Sequence, residues 1–72
     1  MKDLVEYIAR SLVENPDEVN VLLVDDSLIE LQVAESDRGK VIGRRGRTAH
    51  AIRTLMQAAA GDKPAPTLDI VD

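Results

Sequence analysis

The residues best suited to chemistry in this chain are the run Val41-Ile42-Gly43-Arg44-Arg45-Gly46-Arg47, in which two glycines three apart enclose two arginines. With four glycines in 72 residues, that spacing is a weak signal on composition alone. Its setting strengthens it, because the periodic segments on either side read as helices and place the run in a turn between them. Gly43, lacking a β-carbon, suits the end of the first helix, and both glycines let another backbone come close. Gly46 and Arg47 open the second helix, whose first N–H groups lack partners within the helix and point outward at the positive end of its dipole. Such a helix start accepts phosphate. Arg44 and Arg45 add bidentate donors suited to consecutive phosphates of one strand. The competing explanation is a plain helix–helix turn that uses glycine only for its backbone freedom, and the paired arginines weigh against it.

Charge is segregated around this turn. The net charge is −4, yet no acid lies between Arg38 and Gly61, while Arg38, Lys40, Arg44, Arg45, Arg47 and Arg53 supply six of the nine basic residues. The remainder of the chain carries all 13 acids. A basic insert in an acidic body reads either as one solvated helix face or as a local patch for a polyanion.

The elements that must hold the turn follow from periodicity. Leu4, Val5, Ile8, Leu12 and Val13 recur at helical spacing, predicting an amphipathic helix over 3–14 that Asn15-Pro16 ends. Val19 to Val24 and Leu28 to Ala34 read as two strands joined by Asp25-Asp26-Ser27. In the second, Ile29, Leu31 and Val33 alternate with Glu30, Gln32 and Ala34, which gives one buried face and one wet face. Ser36 or Asp37 is expected to cap a short helix through Ile42. From Arg47, the residues Ala49, Ile52, Met56 and Ala59, widened by Leu55, predict a second helix to about residue 60, stopped by Gly61. After Asp62-Lys63-Pro64-Ala65-Pro66, the segment Thr67-Leu68-Asp69-Ile70-Val71 alternates as a last strand. The order α-β-β-α-α-β makes an α+β fold, and residues 1–72 are expected to form a single domain without repeat or linker.

Composition excludes several functions. There is no cysteine, so disulfide scaffolds and thiol catalysis are out. His50 is the only histidine, falls off the 49/52/56 stripe and is expected at the surface. Asp25 and Asp26 read as turn formers rather than ligands, so no metal or cofactor is expected. No nucleophile–base–orienter set can be assembled, and the chain is not expected to be an enzyme. The absence of a long apolar run and the acid at Asp3 predict a cytoplasmic protein with no membrane partner. Tyr7, the single aromatic, is expected to pack at the edge of the first helix and argues against a stacking platform. With Val19, Val21 and Leu23 facing the helices, Leu22 and Val24 would lie on the open side of the sheet, either as a subunit contact or as isolated surface residues. A chain this small without staples gains from association, which favours a dimer.

Val41, Ile42, Gly43, Gly46, Ala49 and Ile52 resemble the signature of the KH domain, Val-Ile-Gly-x-x-Gly followed by a helix with apolar residues at fixed steps. The segments Tyr7–Val13, Gly39–Ala49, Ala51–Leu55 and Leu68–Asp72 narrow this to a resemblance to the KhpA family of small stand-alone bacterial KH proteins. The resemblance implies a type II KH domain, with three helices on one face of a three-stranded mixed sheet whose central strand is 28–35. It implies single-stranded RNA binding, with Gly43, Arg44, Arg45 and Gly46 against the sugar–phosphate backbone and bases in a groove floored by Ile42, Ala49 and residues near Val33. Lys40, Arg47 and Arg53 would extend the positive rim. It also implies a homodimer, or a heterodimer with the larger KH protein KhpB (Jag or EloR), in regulation tied to cell shape and cell wall organisation. The alternative left open is an interaction module whose fold serves chiefly to dimerise with, or recruit, a partner KH protein.

Overall fold

The computed structural model describes residues 1–71. Helix α1 spans Lys2–Leu12, strands β1 and β2 span Asn20–Asp25 and Leu28–Gln32, helices α2 and α3 span Arg38–Ile42 and Arg47–Ala60, and strand β3 spans Thr67–Val71. Single 3₁₀ turns occupy Pro16–Glu18, Glu35–Asp37 and Arg44–Gly46. Strand β2 is central, antiparallel to β1 and parallel to β3. This is the α+β, mixed-sheet topology of a type II KH domain that the sequence implied.

The core grows from β2 outward. Ile29 and Leu31 point to the helical side and are fully buried, with Leu23 and Val21 opposite them on β1 and Leu68 and Ile70 on β3. Val5 and Ala9 of α1, Val41 of α2, and Ile52 and Met56 of α3 close over them. Burying side chains of this size stabilises by roughly 1.5–3 kcal/mol each relative to exposure. Between β1 and β2, the Asp25 carboxylate accepts from the Ser27 hydroxyl and backbone N–H, each at 2.7 Å. Those bonds, the hydroxyl first, hold the Asp25 carboxyl below its ordinary value.

Several expectations need correction. Helix α1 stops at Leu12, two residues before the predicted end. The reason is distant in sequence: the next free N–H groups, of Glu14 and Asn15, donate to the Asp37 carboxylate. Strand β2 ends at Gln32, whose partner Val71 closes the ladder, and Ala34 instead accepts from the Asp37 N–H at 2.8 Å. Tyr7 is 73% exposed rather than packed, because α1 turns Val5 and Ala9 to the sheet and Ala9 was not in the anticipated stripe. On α3 the buried stripe is narrower than expected, leaving Leu55 51% exposed and Ala59 exposed. Leu23 shares the helical side of β1 yet is 48% exposed.

Candidate nucleic-acid interface

The site is built on a very short helix. A helix below about 12 residues is marginal by itself, and α2 has five, so its form depends on what grips it. Val41 anchors its middle in the core. At its far end the Gly43 N–H donates to Gly39 at 2.8 Å, and the chain leaves the helix with Gly43 at φ 78°, ψ 168°.

That conformation is one only glycine adopts readily. A β-carbon at Gly43 would also lie 2.7 Å from both the backbone N and the Cβ of Thr48. The turn is therefore folded tightly against the start of α3. Arg45 (φ 58°, ψ 25°) and Gly46 (φ 74°, ψ 14°) are both left-handed. The Gly46 N–H closes the turn on the Gly43 carbonyl at 3.1 Å. Three of the four residues from Gly43 to Gly46 thus have positive φ, an arrangement that bends the chain sharply and displays Arg44 and Arg45 in solvent.

Gly43, Arg44, Arg45, Gly46 and Arg47 come together at the head of α3, as the sequence anticipated. Among the described residues no carboxylate lies within ion-pair range of Arg44, Arg45 or Arg47. Ile42 sits beside the loop with its side chain partly open to solvent, and Ala49 is buried one turn into α3. Val33, beyond the end of β2, is buried to the same degree as Ala49.

Two other cations are engaged elsewhere. The Lys40 ammonium lies 3.6 Å from Asp37 and 3.8 Å from Glu14, held by two carboxylates. Arg53 donates to the Leu68 carbonyl at 3.0 Å, tying α3 to β3 about 10 Å along the helix axis from Gly46. His50 is exposed, and its carbonyl accepts from the Thr54 hydroxyl.

One residue of this region escaped the sequence reading and another was read for a different role. Thr48 is the wall against which Gly43 packs. Ser36 or Asp37 was expected to cap α2; Asp37 holds the cap position, but its side chain makes no cap bond and reaches back to the end of α1 instead. Burial would raise its carboxyl, but the Asn15 side-chain amide, the Glu14 and Asn15 N–H groups and Lys40 outweigh that and hold it below the ordinary value. Among the described residues there is no cluster of three potential metal ligands, and no helix is long and apolar enough to cross a membrane.

Residues 2–67 match the family described as KhpA/KhpB, KH domain. The relatives include the RNA-binding protein KhpA of Halalkalibacterium halodurans, 54% identical with all of both chains covered. Those of Clostridium perfringens (56% identical, 83% of this chain and 84% of the relative) and Treponema pallidum (43%, covering 99% and 94%) bear the same description. No solved structure matches.

Proposed function

Because the chain belongs to the KhpA/KhpB KH-domain family, we propose that it binds single-stranded RNA without catalysis, clamping the backbone at Gly43–Gly46. The observation that carries this reading is the turn itself: two exposed arginines without carboxylate partners among the described residues, on a loop whose glycines let a strand approach, at the head of a 14-residue helix. Arg44 and Arg45 hold consecutive phosphates, and Arg47 adds charge at the first turn of α3. Ile42 and Ala49 line the adjoining apolar surface for bases. Lys40 and Arg53 contribute long-range potential rather than direct contacts, since both are engaged within the protein. The names of the relatives, each an RNA-binding protein, support the choice of polymer.

Fluorescence anisotropy of a labelled single-stranded RNA pool tests it. For two to three neutralised phosphates, the logarithm of the binding constant should fall against the logarithm of salt with a slope of about −1.4 to −2. Replacing Arg44 and Arg45 together with Asp should abolish binding while far-UV circular dichroism stays native. Undiminished binding by that variant would overturn the assignment of the loop.

Self-association is a second reading, favoured by one observation. Leu22, Leu23 and Val24 are exposed in succession on the edge strand β1, an unusual surface for an isolated monomer. A second copy, or the larger KhpB of the family, would cover it. In sedimentation equilibrium, Leu22→Glu should then lower the apparent mass without weakening the RNA contact.

A further inference from the structure

Asp37 is the one buried charged residue among those described, at 0% exposure, and it lies at the root of the arm that carries the loop. Its Oδ1 accepts from the Glu14 N–H at 3.1 Å, and its Oδ2 accepts from the Asn15 N–H at 3.0 Å and the Asn15 Nδ2 at 2.9 Å. On its outer side it faces the Lys40 ammonium, which Glu14 also approaches. One carboxylate therefore joins the chain leaving α1 to the chain entering α2 across 22 residues of sequence. Five residues beyond it α2 is over and Gly43 begins the turn, so the direction in which α2 leaves Asp37 sets where the turn lies against Thr48.

We propose that Asp37 is a positioning residue for the Gly43–Gly46 loop, fixing α2 against the end of α1 so that the loop meets its ligand in one orientation. This rests on the reading of the loop as an RNA clamp, and it makes an acid a requirement for binding a polyanion. The carboxylate is fully buried, so its role is exerted through the two segments it joins, the end of α1 and the start of α2. Asn15 and Lys40 are the two side chains that complete the latch, at 2.9 Å and 3.6 Å from the carboxylate.

The isosteric change Asp37→Asn separates positioning from charge because the two predict opposite signs. The amide removes a negative charge beside Lys40, which Glu14 still approaches, so an electrostatic role alone would give tighter RNA binding. An amide cannot accept from all three N–H donors, since its own NH2 group must face one of them. If the latch aims the loop, affinity should fall about tenfold, the scale expected when a buried polar contact is lost. Asn15→Ala keeps both backbone donors and changes no charge; it should lose roughly twofold to threefold, and it covers the case in which Asp37→Asn does not fold. A core variant of similar melting temperature, Leu68→Ala, measured where all proteins are folded, should bind as the parent does. The Gly43 and Gly46 amide resonances in a ¹⁵N-correlated spectrum supply the readout that needs no ligand: both should shift in Asp37→Asn and remain in place in Leu68→Ala. Tighter or unchanged RNA binding by a folded Asp37→Asn protein, or glycine resonances that do not move, would overturn the proposal. If the parent protein binds no RNA at all, the clamp reading fails, and the glycine resonances still decide whether Asp37 positions the loop.

Discussion

Gly43→Ala is the sharpest structural test of how the loop is built. At φ 78°, ψ 168° the backbone lies in a region that is essentially restricted to glycine, where another residue costs about 1–3 kcal/mol. The new methyl group would also stand 2.7 Å from the Thr48 backbone N and Cβ. Those atoms belong to the first turn of α3 and cannot swing aside as a flexible side chain would. Overpacking of that kind adds about 1–3 kcal/mol, so a total of about 3 kcal/mol is expected. Stability of roughly 0.05–0.15 kcal/mol per residue makes that a large share of the whole. The melting temperature should drop by about 12–24 °C, taking about 4–8 °C per kcal/mol at this chain length. Gly46→Ala is the internal control, because its left-handed φ of 74° is strained but a β-carbon there would meet no described atom within 4 Å beyond its chain neighbours. Its cost should be about 1 kcal/mol. Urea unfolding followed by circular dichroism gives both values. Equal losses for the two glycines would refute the argument from Thr48. Full recovery of Gly43→Ala by Thr48→Ala would refute the part that rests on φ and on the Thr48 N and Cβ, since that change removes only the hydroxyl, which lies nearest of all.

Other consequences are quickly checked. Arg45→Gly releases a left-handed non-glycine residue at the cost of unfolded-state freedom, so stability should change by less than about 1 kcal/mol. RNA affinity should nevertheless fall, with the salt slope shallower by about 0.7 for one lost phosphate contact. Arg53→Ala should destabilise by about 1 kcal/mol through loss of its bond to Leu68 and leave RNA affinity nearly unchanged; a strong loss of affinity would return Arg53 to the interface. The acid limb of stability should carry the mark of Asp37. A carboxyl whose folded value lies below its ordinary 3.8 contributes stability that is present above 3.8 and lost as pH falls through the lowered folded value. Asp37→Asn should flatten that limb of a melting-temperature profile, and a profile of the same steepness would count against the latch.

What could be read in advance was whatever depends on neighbours in sequence. The alternation Ile29, Leu31 identified a strand with one buried face, and the 49/52/56 spacing identified the buried face of α3, because period alone sets which side a residue takes; that the strand is central came from the family resemblance. Gly43 and Gly46 announced the turn. Period does not say how far the opposing layer extends, so Leu55, Ala59 and Leu23 were assigned to a core that stops short of them. In α1, Ala9 lies in the core because a small side chain lets the helix approach the sheet, and Tyr7 consequently points away. Asp37 looked like a local cap because Asp before a helix usually is one. Its true partners are 22 and 23 residues away, and no local pattern encodes them.

The parallel pairing of β2 with β3 has a consequence for how this loop can be handled. Residues 33–66 form the crossover between two adjacent strands, and the Gly43–Gly46 turn lies within it. A hairpin can zip from its own bend, but this crossover must be laid down before its flanking strands meet, which places the Gly43–Gly46 turn among contacts of long sequence separation. Excised as a peptide from Arg38 to Ala60, the same residues would lose Asp37, the sheet beneath Val41 and Ile52, and the strand that Arg53 ties down. The turn is therefore not a portable motif: grafting it elsewhere demands the whole crossover, and cutting the chain anywhere within the crossover should silence it.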